Sequence, residues 1–135
     1  MTTMLVCGGR WYGRIPIMMP PGSLSAIERA AKEAFMMREA LDHLARERGV
    51  LEVISGGATG ADAIAHEWAI SRSLRSTVIR ADWKMFGRAA GPIRNKRMID
   101  LKPNFVVAFT GGKGTAGMVQ IARDAGVEVI DRRDE

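Results

Sequence analysis

The chain has 135 residues, a formal net charge of +5 and a hydrophobic content of 47%, which is typical of a globular protein. This length suits one domain, residues 1–135, that buries roughly two-thirds of its unfolded surface. No apolar run approaches the roughly 20 residues of a membrane-spanning helix, and the single cysteine, Cys7, excludes an internal disulfide. We therefore expect a cytoplasmic protein without membrane contact.

The first half of the chain predicts a strand, a loop and a long helix. Residues 4–7 are apolar and no charged segment precedes them, so we expect a buried strand and no signal peptide. Residues 13–23 contain three prolines and two glycines, which predict a loop. Apolar residues recur at helical spacing from Leu24 to about Arg48, and Gly49 is a natural stop. This segment is therefore predicted to be an amphipathic helix.

The second half alternates short apolar runs with segments of helical spacing. We predict strands at residues 51–54, 76–79, 104–109 and 127–130, and helices at about 60–73, 92–101 and 116–124. Residues 82–91 are expected to be irregular. Strands that alternate with helices are typical of an α/β fold with a mainly parallel sheet.

Glycine-rich turns follow three of the predicted strands, at residues 8–10, 55–62 and 110–115. Parallel strands end at one sheet edge, where ligands bind. A strand, a glycine turn and a helix in that order direct backbone N–H groups and the positive end of a helix dipole at an anion. None of the turns has the GxxxxGK[ST] or GxGxxG spacing, and each alone could be a plain connection. Together they predict one anion site. The candidate ligand-binding residues are Gly8, Gly9, Arg10, Ser55, Gly56, Gly57, Asp62, Arg94, Asn95, Gly111, Gly112, Gly114 and Thr115.

Side chains near these turns suggest how a ligand is held. Arg10 could bind phosphate in a bidentate manner, although it could equally cap surface carbonyls, and Arg94 could help to neutralise the charge of the ligand. Asp62 could accept hydrogen bonds from ribose hydroxyls or only complement a helix dipole. It is also the one carboxylate well placed to act as a catalyst. Trp83 and Phe86 could stack on a base or pack in the core.

Two other kinds of site have weaker support. There is no cluster of histidine and carboxylate residues at metal spacing, so we predict neither a metal nor a cofactor. Residues 80–102 carry seven basic and two acidic side chains, so this segment alone accounts for a charge of +5. It could be a solvated helix face, a funnel for an anionic ligand or a nucleic-acid footprint. Only 6% of residues are aromatic, which disfavours nucleic-acid binding without excluding it.

Four motifs together resemble a known family. They are GGRWY at residues 8–12, SGGATGAD at 55–62, the Asp82-Trp83 and Arg94-Asn95 pairs, and GGKGT at 111–115. This set is similar to the YspA-type (cpYpsA-related) branch of the SLOG superfamily, whose relatives include the LOG phosphoribohydrolases and DprA. The resemblance covers nearly the whole chain except residues 13–23 and the charged tail.

The resemblance implies a Rossmann-like three-layer α/β/α sandwich with about five strands. It also implies binding of a nucleotide-derived ligand, such as a nucleoside phosphate, ADP-ribose or an NAD-related molecule, by a sensor, carrier or sequestering domain. In LOG enzymes an arginine that Arg94 matches acts together with a glutamate, and Met118 stands at the glutamate position. A methionine cannot act as a general acid or base, so the LOG type of hydrolysis is not expected.

Two alternative functions stay open beside simple binding, and the sequence also suggests a homodimer contact. The protein could hydrolyse an N-glycosidic or phosphate bond of such a ligand, with Asp62 as the catalyst. It could bind single-stranded nucleic acid through residues 80–102, by analogy with DprA. Related domains often form dimers, and the exposed face of the helix predicted at 24–48, with Met36 and Met37, could supply a homodimer contact.

Overall fold

The computed structural model describes residues 2–14 and 24–133. Five parallel strands form one sheet, and the strands are β1 (Thr2–Cys7), β2 (Val50–Ser55), β3 (Arg75–Val78), β4 (Phe105–Phe109) and β5 (Glu128–Arg132). Their order in the sheet is β3-β2-β1-β4-β5. The chain thus starts in the middle, moves outward to β3 and returns to the other side of β1. The direction of winding reverses between β1 and β4, which is where open α/β sheets bind ligands.

Helices cover both faces of the sheet. They are α1 (Leu24–Arg48), α2 (Ala61–Ser71), α3 (Trp83–Phe86), α4 (Ala90–Asp100) and α5 (Lys113–Asp124), with a 3-10 turn at Gly87–Ala89. Side chains of α1 and α2 share one buried cluster, and side chains of α4 and α5 share the other. The predicted Rossmann-like three-layer sandwich with a parallel sheet is therefore confirmed.

The side chains of β1 alternate between the two buried clusters. Met4 and Val6 point into the cluster beneath α1 and α2, whereas Leu5 and Cys7 join the cluster beneath α4 and α5, because successive side chains of a strand face opposite ways. Met4, Leu5 and Val6 are fully buried. Burial of a side chain of this size contributes about 1.5–3 kcal/mol to folding. A central strand that is apolar on both faces is thus what anchors the sheet.

The predicted elements agree with the structure to within about two residues at each end, apart from two regions. Residues 82–91, predicted to be irregular, form α3, the 3-10 turn and the start of α4. The carboxylate of Asp82 caps α3 by accepting a hydrogen bond from the Met85 N–H (3.0 Å), and a helix of one turn is too short to show periodicity. The helix predicted at 116–124 begins instead at Lys113, so Thr115 lies in its first turn. Most of the loop predicted at 13–23 lies outside the described residues.

Helix α1 has the predicted bounds but not all of the predicted exposed face. Met37 is fully buried in the core, so it is not available for the homodimer contact predicted for it. The large apolar residues of α1 that are exposed are Leu24, Ile27 and Phe35. Across residues 2–14 and 24–133, no helix combines the length and the apolar character that a membrane span requires.

Candidate functional site

A cavity of about 430 Å³ lies at the carboxyl ends of β1 and β4, where the strand order reverses. Residues from all three glycine turns line it, together with residues from α3, α4 and α5. The predicted site residues that line it are Gly8, Gly9, Arg10, Asp62, Arg94, Asn95, Gly112, Gly114 and Thr115. The sequence-based expectation that the three turns meet at one crevice agrees with this geometry.

Four predicted site residues do not line this cavity. Ser55 is fully buried at the end of β2, and its hydroxyl has no hydrogen-bond partner among the described residues. Gly56 lies behind two cavity residues, because a Cβ on it would be 2.6 Å from Arg94 Nη1 and 2.8 Å from Asp62 Oδ2. Gly57 and Gly111 line two smaller cavities on either side.

Backbone contacts lock the first turn to its two neighbours. The Gly9 N–H donates to the Thr110 carbonyl (2.9 Å), and the Gly9 carbonyl accepts from the Ala61 N–H (3.1 Å). Gly60 has a φ of +73°, and a Cβ on it would overlap the Gly9 carbonyl oxygen. A glycine is required at this position because both its conformation and its space exclude a side chain. The beginning of α2 is thereby fixed against the end of β1.

Asp62 lies in the first turn of α2 and is buried, with 7% of its surface exposed. Its Oδ2 accepts a hydrogen bond from the Ala58 N–H (3.1 Å). Burial raises the pKa of the Asp62 carboxyl, and the Ala58 hydrogen bond and the charge of Arg94 oppose that rise in part. A carboxyl group in this position can accept hydrogen bonds from a ligand or exchange a proton with it.

Arg94 and Asn95 connect the second turn to the third. Arg94 donates from Nη1 to the Gly56 carbonyl (2.7 Å) and from Nε to Asn95 Oδ1 (3.0 Å). The amide of Asn95 donates in turn to the Gly114 carbonyl (3.2 Å). Burial lowers the pKa of the Arg94 guanidinium, and Asp62 opposes the shift. Among the described residues, Asp62 is the only carboxylate that lines the cavity. The network holds Arg94 between Asp62 and the amino end of α5.

The amino end of α5 forms the opposite wall. Gly112 precedes the helix, and no side chain caps it. A Cβ on Gly112 or Gly114 would meet nothing within 4 Å. Lys113, which belongs to the GGKGT motif but is not one of the predicted site residues, also lines the cavity. Arg10, Arg94 and Lys113 therefore give this region an excess of positive charge.

Other residues of the cavity wall were not predicted, because the side of α5 that faces the cavity is recognisable only once the start of the helix is known. Gly117, Met118 and Ile121 line the cavity together with the predicted Gly114, and the four have the spacing of one helix face. Because α5 was predicted to begin at residue 116, this face was not visible as a unit. Met118 occupies the position that corresponds, by resemblance, to the glutamate of the LOG enzymes. Its side chain is buried in the core beneath the cavity.

Residues 2–14 and 24–133 show neither a cluster of metal ligands nor an activated cysteine nucleophile. No group of three or more histidine, cysteine, aspartate or glutamate side chains is placed to hold a metal ion there. Cys7 lines the cavity floor, but burial raises the pKa of its thiol to about 12. A thiol with that pKa is not an activated nucleophile at neutral pH.

The basic side chains of segment 80–102 occupy different surroundings. Arg94 faces the cavity, and Arg80 Nη1 donates to the Gly57 carbonyl (2.9 Å). Lys96 pairs with Asp100 (3.2 Å) on the exposed side of α4. The segment therefore contributes part of its charge to the cavity and its wall.

Comparisons with known proteins agree with this architecture. Residues 2–86 match the family described as YspA, cpYpsA-related SLOG. Gene 61 protein of Mycobacterium phage D29 is 36% identical over an alignment of 101 residues that covers 70% of this chain and 81% of the phage protein. The X-ray structure of TM1055, a Northeast Structural Genomics Consortium target, aligns over 96% of this chain and 72% of its own with a TM-score of 0.66 and 18% identity, which shows a shared fold. The chain belongs to the YspA, cpYpsA-related family of the SLOG superfamily.

Proposed function

We propose that the cavity at the β1–β4 edge binds a nucleotide-derived ligand, such as a nucleoside phosphate, ADP-ribose or an NAD-related molecule, and that the protein acts as a sensor, carrier or sequestering domain. Membership of the SLOG family favours a nucleotide-related ligand. The observation that carries the proposal is the convergence on one cavity of an uncapped helix end, two open glycines and three cationic side chains.

The phosphate end of the ligand would lie at Gly112 and Gly114. The first N–H groups of a helix have no partner within the helix, and the helix dipole adds to their attraction for an anion. Because no neighbour occupies the space beside either glycine, a phosphate can approach the backbone closely. Arg10 and Arg94 would neutralise the charge.

Asp62 would hold the ribose. It is the one carboxylate on the cavity wall in the described part of the chain. The Ala58 N–H donates to its Oδ2, and the Gly56 backbone also hydrogen-bonds to it. In dinucleotide-binding folds, an acidic residue accepts a hydrogen bond from the ribose 2′-hydroxyl. A buried charged acceptor also contributes more to affinity than a neutral one.

The direct test is a thermal-unfolding screen. ADP-ribose, NAD, AMP and cyclic ADP-ribose isomers would be added singly at concentrations up to several millimolar. A ligand present at 100 times its Kd stabilises the folded state by about 2.7 kcal/mol. We expect at least one of these compounds to raise the unfolding temperature, and a flat response across the panel would refute the proposal.

Hydrolysis of the ligand is a second candidate, favoured by the raised pKa of Asp62. A carboxyl group that keeps its proton to higher pH can serve as a general acid. Incubation of the wild type and Asp62→Asn with the same compounds, followed by chromatography, tests this role. Product formed by the wild type alone would support it, whereas equal turnover by both proteins would remove Asp62 from the mechanism.

A further inference from the structure

Two half-exposed tryptophans line the same cavity. Trp11, in the turn after β1, is 51% exposed, and Trp83, at the start of α3, is 48% exposed. A single exposed aromatic residue is ordinary on a protein surface. Two indoles on the wall of one cavity instead provide a flat apolar surface beside the polar groups already described.

Each indole is held by a guanidinium group. Arg10 Cζ lies 5.4 Å from the ring centroid of Trp83, and Arg14 Cζ lies 4.6 Å from that of Trp11. Both distances are within the range of a cation–π contact. Because each ring remains about half exposed with its arginine in place, each has aromatic surface left for a ligand.

Trp83 is also positioned by the backbone around it. Asp82 caps the short helix in which Trp83 is the first residue. The indole lies against the first turn of α4, where a Cβ on Gly91 would be 3.3 Å from Cη2 of the ring. A larger residue at position 91 would press on the ring, so glycine allows the indole its present place at the cavity.

We propose that Trp83 and Trp11 bind the planar base of the ligand, so that the cavity selects nucleotides over base-free sugar phosphates. This inference rests on the proposed function and adds the base-recognition element to it. Arg10 links the two halves of the site, because it lines the cavity near the phosphate end and contacts the Trp83 ring. Stacking accepts any base but favours the larger face of a purine.

The size of the expected preference follows from measured stacking contributions. Removal of an aromatic partner from a base weakens binding by roughly 5- to 150-fold. Ribose 5-phosphate carries the same phosphate and ribose as AMP but lacks the base. AMP should therefore bind the wild type at least about fivefold more tightly than ribose 5-phosphate.

The experiment is a calorimetric titration of AMP, ADP-ribose and ribose 5-phosphate into four proteins: the wild type, Trp83→Ala, Trp83→Phe and the control Phe35→Ala. Phe35 is an exposed aromatic residue on α1, away from the cavity. We expect Trp83→Ala to lose most of the preference for AMP and Trp83→Phe to keep part of it. Binding of ribose 5-phosphate should be the same in all four.

The outcomes separate this inference from the proposed function. Equal affinities of the wild type for AMP and ribose 5-phosphate, or an unchanged preference in Trp83→Ala, would overturn base recognition while phosphate and ribose binding stood. No binding of any of the three compounds by the wild type would overturn both. Quenching of tryptophan fluorescence by AMP but not by ribose 5-phosphate would add independent support, since the third tryptophan, Trp68, is buried in the core.

Discussion

The second and third glycine turns have similar sequences but differ in how much space their glycines leave. In the second turn, a Cβ on Gly56 or Gly60 would meet Arg94, Asp62 or the Gly9 carbonyl. In the third turn, a Cβ on Gly112 or Gly114 would meet nothing within 4 Å. Packing within the fold thus requires glycine at positions 56 and 60, whereas it does not require glycine at positions 112 and 114.

The difference indicates what each turn is for. Gly60 has a φ of +73°, which only glycine adopts readily, so it serves to join α2 to the first turn. Gly114 lies within α5, where glycine costs about 0.5–1 kcal/mol relative to alanine. Under the proposed function, the free space beside Gly114 would let a ligand approach the backbone, and that role would offset the cost in stability.

The largest effect on stability is expected for Gly60→Ala. The new Cβ would overlap the Gly9 carbonyl oxygen, and the backbone conformation is strained for any other residue. We expect a loss of at least about 2 kcal/mol in the free energy of unfolding, measured by urea denaturation. A loss below 0.5 kcal/mol, of the order of an ordinary surface substitution, would show that the second turn can rearrange. The difference in packing between the second and third turns would then have no consequence for stability.

The next effect concerns Asp62→Asn, which separates a structural role from a ligand-binding one. Since burial raises the pKa of Asp62 above its unfolded value of 3.8, the unfolded state loses its proton first as pH rises. The stability present below pH 3.8 is then lost as pH passes through the folded pKa. Asparagine carries no charge and keeps an acceptor for the Ala58 N–H. We therefore expect the variant to be more stable than the wild type at pH 7.

The same Asp62→Asn variant should bind the ligand about tenfold or more weakly, because a charged acceptor is lost. Urea unfolding at several pH values between 3.5 and 7, with titration of ADP-ribose at pH 7, gives both quantities. A variant that is less stable at neutral pH and binds normally would assign Asp62 to the fold instead of the site.

The smallest effect is expected for Gly117→Ala in α5. A Cβ there would lie 4.0 Å from Asn95 Nδ2, which is ordinary contact, and alanine restores helix propensity. We expect a gain of about 0.5–1 kcal/mol in thermal or urea unfolding. Gly126→Ala is the matched control, because its Cβ would also meet nothing closer than 4 Å but its φ is +75°. It should lose stability, and a gain there would undermine the conformational argument.

The sequence could predict most of the fold because its strands are apolar runs with clear turn signals. The parallel sheet and the convergence of three turns followed from the alternation of strands and helices. It could not show α3, since Trp83–Phe86 is a single turn whose start depends on the Asp82 cap. Nor could it separate the glycines that fill tight space from those beside open space, because that distinction depends on tertiary neighbours.

The candidate site was likewise only partly predictable. Asp62 and Arg94 stood out by residue type and position, and the structure brings both to the cavity. Gly56 matched the same motif but lies behind them. Trp11 and Lys113 also line the cavity. Both belong to motifs that the sequence shows, GGRWY and GGKGT, but which motif residues reach the cavity depends on tertiary neighbours.

The most direct test of the account is calorimetric titration of ADP-ribose into the wild type, Gly114→Ala and the control Ala116→Ser. The alanine methyl group at position 114 would enter the open space beside the amino end of α5, whereas Ala116 is exposed in the same helical turn and does not line the cavity. We expect one saturable site in the wild type and in the control, and an affinity about tenfold or more weaker in Gly114→Ala, which corresponds to about 1.4 kcal/mol. Equal affinity in all three proteins would contradict it.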